Sequence, residues 1–427
     1  MQRVAKLAKY LPEHGVRPAV LTVANPSVPL RDDSLAQDLP RDLEITRART
    51  LEPDYRTKDA AWRARAGPRD GARRGRDVMA SAVAGVAGLA RQLLFPDPQV
   101  LWQPAAHGAL LARIAARRDD VMLVSGPPFS QFLLAPLARA AGLGVVLDYR
   151  DEWSTLRESY EMGRSRVARA LGDPLEATLL RRAHTVVTAT EEFRAHLLER
   201  FPWLDPGRVV AIPNGYDPHD FPAALPEPPR DRFVTTYAGT VFALTSARGL
   251  IGGIRRLHAI EPQLASLLRV RFLGRIVPTE QDSFEGTEPL GIERVGYVPH
   301  AQVLPELAAS HLALCLLDDV RGTESIYPAK IFELMHLGRP VLTLAPPDSA
   351  LARLVGSHAM GTVVHPRDEE AVARAFQSHL RAFVRGENLL VPWRNAPGLR
   401  RYDRRALAGE FAEILRKAAS DEVRRGS

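Results

Sequence analysis

Short apolar runs rich in β-branched residues alternate with longer amphipathic stretches along the first half of the chain. Such alternation is typical of a parallel β-sheet with helices on both faces, because buried parallel strands are apolar on both sides. The opening MQRVAKLAKYLPEHG has Leu and Val at helical spacing, which predicts a first core helix rather than a transit peptide. The predicted strands are residues 18–24, 121–125, 144–149, 184–189 and 208–213.

Residues 214–232, NGYDPHDFPAALPEPPRDR, are proline-rich and polar, as linkers are. A second alternating set follows, with strands predicted at 233–239, 269–274, 312–317, 340–345 and 361–366. We therefore expect an α/β protein of two doubly wound, Rossmann-like domains, whose facing strand ends form a cleft for a ligand. The predicted divisions are an N-terminal domain 1–217, a C-terminal domain 218–400, and a last helix within 401–427 that packs back on the N-terminal domain.

The first predicted domain lacks a visible opening strand. A doubly wound domain usually begins with a strand and a glycine-rich turn that lead into its first helix, whereas this sequence begins within that helix. Two interpretations are open: Met1 lies downstream of the true start, or the domain lacks this strand and its loop.

Composition narrows the class of protein. A chain of 427 residues is too long for one core, and it has no apolar run that could span a bilayer. The single cysteine, Cys315, lies in the apolar run LALCLL, so it is interpreted as a core residue of a cytoplasmic protein.

The net charge of +7 favours anionic partners, although no nucleic-acid-binding motif is present and nucleic acid is not expected. Much of the basic excess lies in residues 55–77. This segment is interpreted either as a solvated surface loop or as a contact with an anionic membrane, which would make the protein peripheral at the inner face.

The stretch YPAKIFELMHLGRPVL, residues 327–342, combines a helix start, a helix stop and a buried strand. Pro328 and Gly338 predict a helix over about 328–337. Its amino end would favour a phosphate, and Lys330 would strengthen that site. Glu333 lies on the same side and could hold the two hydroxyls of a ribose. The alternative is an exposed Lys–Glu pair without a ligand.

This stretch resembles the second-glutamate segment of the family 4 glycosyltransferases, two-domain enzymes of the GT-B fold. The segments VSGPPFSQFLLAPLARAAGLGVVLDYRDEW (124–153), VVTATEEFRAHLLERF and VVAIPNGYDPHDF also resemble bacterial members, in the same order along the chain. The resemblance implies a retaining, hexosyltransferase-like enzyme that needs no metal or other cofactor and uses a nucleotide-diphosphate sugar.

The resemblance also implies roles for particular residues. The family's glutamate at the position of Glu333 binds the nucleotide ribose, and a second glutamate eight residues earlier contacts the donor sugar. Ser325 occupies that earlier position here, while Glu324 is one residue too early. The loop YAGTVFALTSARGL has Gly239 and Thr240 where the family usually has glycine–arginine. The remaining donor-binding candidates are Tyr327, Arg248 and Arg275.

The acceptor side is predicted at DYRDEW, where a strand ends in charged residues. A doubly wound domain presents functional groups at such a strand end. The family resemblance implies that Arg150 or Asp151, the candidate catalytic residues, lines the cleft and orients an acceptor hydroxyl. The alternative is a structural Arg–Asp ion pair with Trp153 covering the core. Lone histidines such as His300 are interpreted as packed or solvated, and no metal-ligand cluster is visible.

The predicted function is transfer of a sugar to a hydroxyl of a glycan, a lipid-linked sugar or a small molecule, as in polysaccharide or cell-envelope biosynthesis. Two alternatives stay open. One is a non-catalytic nucleotide-sugar-binding protein or partner subunit, which the missing strand and the displaced glutamate would favour. The other is a GT-B sugar-nucleotide epimerase.

Overall fold

The computed structural model describes residues 2–28, 34–58, 94–154, 166–222, 224, 226–389 and 397–426. Its strands form three parallel sheets, two in the N-terminal half and one in the C-terminal half. Of the predicted basic segment 55–77, residues 59 onwards lie outside the described residues.

The N-terminal half contains a two-stranded sheet, β1–β2, and a four-stranded sheet in the order β3–β4–β5–β6. The central strand β4 is buried at all six positions, as expected for a strand covered on both faces. The strands are β1 Ala19–Val23, β2 Glu44–Ala48, β3 Val121–Gly126, β4 Gly144–Tyr149, β5 Thr185–Thr188 and β6 Val209–Ala211. The helices are α1 Gln2–Tyr10, α2 Gln103–Ala115, α3 Ala135–Ala140, α4 Arg166–Arg182 and α5 Glu191–Arg200.

The C-terminal half forms one six-stranded sheet in the order β12–β11–β10–β7–β8–β9. Numbered within the domain this order is 6-5-4-1-2-3, so the strand order reverses between β7 and β10, as in a Rossmann domain. The strands are β7 Phe233–Ala238, β8 Leu268–Leu273, β9 Ile292–Gly296, β10 Leu312–Leu316, β11 Val341–Leu344 and β12 Gly361–Val364. The helices are α6 Arg248–Ile260, α7 Pro262–Ala265, α8 Pro278–Gln281, α9 His300–Ala308, α10 Lys330–Leu337, α11 Ala350–Ser357 and α12 Glu369–Val384.

The last helix, α13 Arg404–Gly426, returns to the N-terminal half and packs on β3, β4 and α1. Leu407, Phe411 and Leu415 of α13 share a core with Leu7 and Val146. The chain therefore crosses between the two halves twice. The crossings run side by side, since Tyr216 N donates to Tyr402 O at 3.0 Å and Arg404 N donates to Tyr216 O at 2.9 Å.

All ten predicted strands are present, and the structure adds two more, β2 and β9. Both added strands contain charged residues that interrupt an apolar pattern, EITRA in β2 and IERVG in β9. They pair on one side only, to β1 and β8 respectively. Because an edge strand is half-solvated, its sequence need not be continuously apolar, and a search for buried runs misses it.

Candidate functional site

Helix α10 begins near the carboxyl ends of strands β7 and β10 and carries both predicted ligand-binding side chains. Ile331 N donates to Pro328 O at 2.9 Å, which closes the first turn just before the helix. Gly338 ends the helix with φ of 76°, in the left-handed region that glycine adopts without a steric cost. The predicted start and stop signals therefore define this helix correctly to within two residues.

Lys330 lies over the aromatic ring of Tyr237, with Nζ 3.8 Å from the ring centroid. Its ammonium group is also beside Gly239, which follows β7: a Cβ built on Gly239 would lie 2.5 Å from Lys330 Nζ. Gly239 in turn contacts Gly274 at the end of β8, where a Cβ would lie 2.3 Å from Gly239 O. The structure thus brings Lys330 and Gly239 together at the carboxyl end of a strand, where the backbone can approach a ligand closely.

Glu333 is half-buried, and the groups that act on its carboxyl include Gln2, His300 and Arg404. Burial raises the pKa of its carboxyl group, whereas the charges of His300 and Arg404 oppose that rise. His300, at the start of α9, is 3.1 Å from the amide nitrogen of Gln2 in α1. Lys330 and Glu333 are therefore both half-buried, and the groups around Glu333 come from both halves of the molecule.

The other predicted donor-side residues are more dispersed. Arg275 is exposed just beyond β8, and Thr240 is exposed with its carbonyl oxygen accepting bonds from Tyr237 and Thr245. Arg248 donates to Thr279 O at 3.0 Å and lies 3.5 Å from Glu280. Burial raises the pKa of Tyr327 to about 12, and its ring packs on Phe332.

Ser325 contacts the N-terminal half directly. Its hydroxyl donates to Glu152 Oε2 at 3.2 Å, and its carbonyl oxygen accepts a bond of 2.8 Å from Thr190. Ser325 is 4% exposed. The position at which the family resemblance implies a sugar contact is therefore occupied by contacts between the two halves.

The charged residues at the end of β4 and just beyond it are arranged differently from the predicted Arg–Asp ion pair. Asp148 pairs with Arg3 of α1, at 2.9 Å, and accepts a bond of 2.7 Å from Ser125. Arg150 donates to the carbonyl oxygen of Pro127, while Asp151 is exposed. Trp153 is fully buried and stacks on Phe129 at 4.7 Å, as the interpretation of a core-covering residue requires.

A cluster of buried charges fixes α1 to the first crossing between the halves. Lys6 bonds to Asp38, Asp217 and Asp220, with a Lys6–Asp217 distance of 2.7 Å. Although burial lowers the pKa of Lys6, the three carboxylates raise it overall. Within the described ranges these three aspartates are the group whose oxygens could hold a metal ion. The Lys6 ammonium group already bonds to all three.

The structure adds site residues that sequence reasoning did not identify. The sequence predicts a packed or solvated His300, whereas in the structure His300 and Arg404 both lower the pKa of the Glu333 carboxyl through their charges. Glu152 lies in the DYRDEW segment, beside the predicted catalytic residues Arg150 and Asp151. The position of Glu152 just beyond a buried strand is a feature from which the sequence could have predicted it as a site residue. The sequence around His300 and Arg404 has no such feature.

In the part of the chain that the structure describes, no helix has the length and apolar character needed to cross a bilayer. Of the basic segment 55–77, only 55–58 are described, and Lys58 pairs with Glu52 at 2.6 Å.

The chain is similar to a known protein family and to several solved structures. The model of the glycosyl transferase 4-like domain matches residues 2–215. No curated protein sequence shows significant similarity to the chain.

Similar solved structures cover almost the whole chain at low sequence identity. HepE from Anabaena, solved with UDP and glucose, has a TM-score of 0.58 at 15% identity, covering 97% of this chain and 95% of HepE. The α,α-trehalose 6-phosphate synthase of Burkholderia multivorans has a TM-score of 0.55 at 13% identity, covering 95% and 99%. The lipopolysaccharide outer core galactosyltransferase WaaB has a TM-score of 0.53 at 11% identity, covering 97% and 94%.

At these identities the structures establish the shared fold of two Rossmann-like domains, the GT-B fold, while the family is established by the match to residues 2–215 of 427. The chain belongs to the glycosyl transferase 4-like family.

Proposed function

We propose that this glycosyltransferase moves a hexose from a nucleotide-diphosphate sugar to a hydroxyl acceptor, with retention of configuration at the sugar. The observation that carries the proposal is the meeting of Lys330 with Gly239 at the start of α10, with Glu333 on the same helix, where groups from both halves of the molecule act on its carboxyl. The structure of HepE with UDP and glucose and the galactosyltransferase WaaB share this fold, which supports a hexose and a nucleotide donor.

In this proposal α10 and the strand ends bind the donor. The helix amino end and the Lys330 ammonium group favour the diphosphate, because both place positive charge at one point. Arg275, exposed beyond β8, is the next cation along this edge. These groups would stabilise the negative charge that the departing nucleoside diphosphate carries as the sugar bond breaks. Metal-independent transfer remains a prediction of the sequence.

Glu333 would hold the ribose hydroxyls, since a carboxylate can accept two hydrogen bonds at once. Its environment includes Gln2, His300 and Arg404, so a bound nucleotide would contact groups from both halves. Closure of the halves around the donor would exclude water that could hydrolyse it. The acceptor would enter from the β4 side, where Arg150 and Asp151 remain the candidates for orienting its hydroxyl.

A thermal-shift screen of UDP-, GDP- and TDP-sugars tests this function. A ligand at a hundred times its dissociation constant stabilises the folded protein by about 2.7 kcal/mol, which is readily measured. Glu333→Ala should abolish that shift without lowering the melting temperature of the ligand-free protein, because the half-buried carboxylate does not stabilise the folded state. A protein that none of these donors stabilises would not be a nucleotide-sugar enzyme.

A second candidate is a non-catalytic nucleotide-sugar-binding subunit. It is favoured by Ser325, whose side chain and carbonyl oxygen both bond to the N-terminal half. Donor hydrolysis and product analysis separate the candidates. A transferase releases nucleoside diphosphate in a Glu333-dependent way, an epimerase changes the sugar without releasing it, and a binding subunit does neither.

We further propose a cytoplasmic protein that associates with anionic membranes through residues 55–77. The support is the basic composition of this segment. Deleting residues 56–77 should reduce sedimentation with vesicles of phosphatidylserine and phosphatidylcholine without changing the melting temperature. Equal sedimentation of the two proteins would reject membrane binding by this segment.

A further inference from the structure

Glu152 is a carboxylate that the N-terminal half presents where the two halves meet. It lies three residues beyond the end of β4, and its side chain is 8% exposed. Its partner Ser325 lies beyond the carboxyl end of β10 in the other sheet. Ligands of open parallel sheets bind beyond the carboxyl ends of the strands. Glu152 therefore lies beyond the carboxyl ends of the strands, where a single ligand could contact both halves.

Two hydroxyl groups hold the Glu152 carboxylate. Ser154 Oγ donates to Oε1 at 2.8 Å, and Ser325 Oγ donates to Oε2 at 3.2 Å. His196 Nδ1 lies 3.8 Å from Oε2. A carboxylate with a hydroxyl donor on each oxygen has the hydrogen-bonding pattern that neighbouring hydroxyls of a hexose provide.

The two bonds differ in quality. The distance to Ser154 is near the usual value for an O–H···O bond, whereas the distance to Ser325 is longer than the usual range. The Ser325 bond is thus the weaker one, and a better-placed hydroxyl could replace it. Ser325 is also on the segment that leads directly into α10 and Lys330.

We propose that Glu152 binds hydroxyl groups of the donor sugar, one of which takes the place of the Ser325 hydroxyl. The inference rests on the proposed function, because it assumes a nucleoside diphosphate at the start of α10. A nucleotide sugar carries anionic oxygens on its diphosphate and neutral hydroxyls on its sugar. Lys330 suits the first group and the Glu152 carboxylate suits the second.

Glu152→Gln tests the inference by isothermal titration calorimetry with UDP-glucose, GDP-mannose and TDP-glucose, each compared with its own nucleoside diphosphate. For the donor that the wild-type protein binds, we expect the substitution to weaken binding roughly tenfold, since hydrogen bonds to a charged group are lost. Binding of the matching nucleoside diphosphate should stay within about twofold of wild type, because Glu152 contacts only the sugar.

Glu192→Gln is the matched control, because it makes the same chemical change in another contact between the halves. Glu192 bonds to Arg353 at 2.6 Å, across the same boundary as the Glu152–Ser325 bond. This variant should bind both ligands as the wild type does. If Glu152 merely tethers the halves, Glu152→Gln will change the affinities for the nucleotide sugar and the nucleoside diphosphate equally or not at all, which overturns the inference.

Glu152→Asp serves if the glutamine variant does not fold. It keeps the charge but shortens the reach, so selective weakening of nucleotide-sugar binding supports the inference, and unchanged or equal effects on both ligands overturn it. The two proposals fail in different ways. A wild-type protein that binds none of the three donors fails the proposed function, whereas normal donor binding by the Glu152 variants rejects only the role of Glu152.

Discussion

Replacing Lys330 by methionine removes the ammonium group from the proposed diphosphate site and keeps most of the side chain. The cost to stability should be small. Nζ lies 3.8 Å from the Tyr237 ring centroid in a half-buried position, and a cation–π contact of this kind is worth about 1 kcal/mol. We therefore expect the free energy of unfolding to fall by about 1 kcal/mol or less.

The cost to binding should be larger. A hydrogen bond from the ammonium group to a diphosphate oxygen is charge-assisted, and its loss costs roughly 1.5–3 kcal/mol. This corresponds to about 10- to 150-fold weaker binding of the nucleoside diphosphate. The effect on binding is larger than the effect on stability because Lys330 contacts only an aromatic ring in the ligand-free protein, whereas it would contact an anion in the complex.

Calorimetric titration with the nucleoside diphosphate of the donor found by screening measures the loss of binding, and urea unfolding measures the loss of stability. Lys58→Met is the control, because Lys58 pairs with Glu52 in the N-terminal half. Unchanged nucleoside diphosphate affinity in Lys330→Met would refute the role of the ammonium group. A loss of several kcal/mol in stability would instead show that Lys330 is mainly structural.

Three further predictions concern the surroundings of the site. The pKa of Glu333 in the folded state is raised above its ordinary 4.5, so ionisation of this carboxyl destabilises the protein as pH rises. Glu333→Gln should therefore be more stable than wild type at pH 7. If urea unfolding shows the same stability difference between the two proteins at pH 4 as at pH 7, this reasoning is contradicted. Lys6→Met leaves three carboxylates without their buried ammonium partner and should cost roughly 3–5 kcal/mol in urea unfolding; an unchanged midpoint would show that the cluster is dispensable. Gly239→Ala forces a side chain onto a residue with φ of 143°, which should cost roughly 1–3 kcal/mol of stability. The control Gly356→Ala, with open space around the new Cβ, should not destabilise the protein. Equal unfolding curves for wild type and Gly239→Ala would show that position 239 tolerates a side chain without strain.

The sequence alone indicated two α/β halves with parallel strands, because buried parallel strands leave continuous apolar runs and the linker leaves a proline-rich interval. It did not indicate that the strands of the N-terminal half divide into two separate sheets. It also located α10 through Pro328 and Gly338, since helix ends have local steric and hydrogen-bonding requirements. It missed the edge strands β2 and β9, whose half-solvated positions need no apolar run.

Tertiary structure decided which side chains meet. Asp148 pairs with Arg3, which is 145 residues away, rather than with its neighbour Arg150. Lys330 lies against Gly239, Ser325 bonds to Glu152, and His300 shares the environment of Glu333. These contacts join residues that are distant in the chain, and no local propensity specifies them. Packing of the two halves against each other fixes the geometry of these contacts, and the site at the boundary therefore appears only in the folded protein.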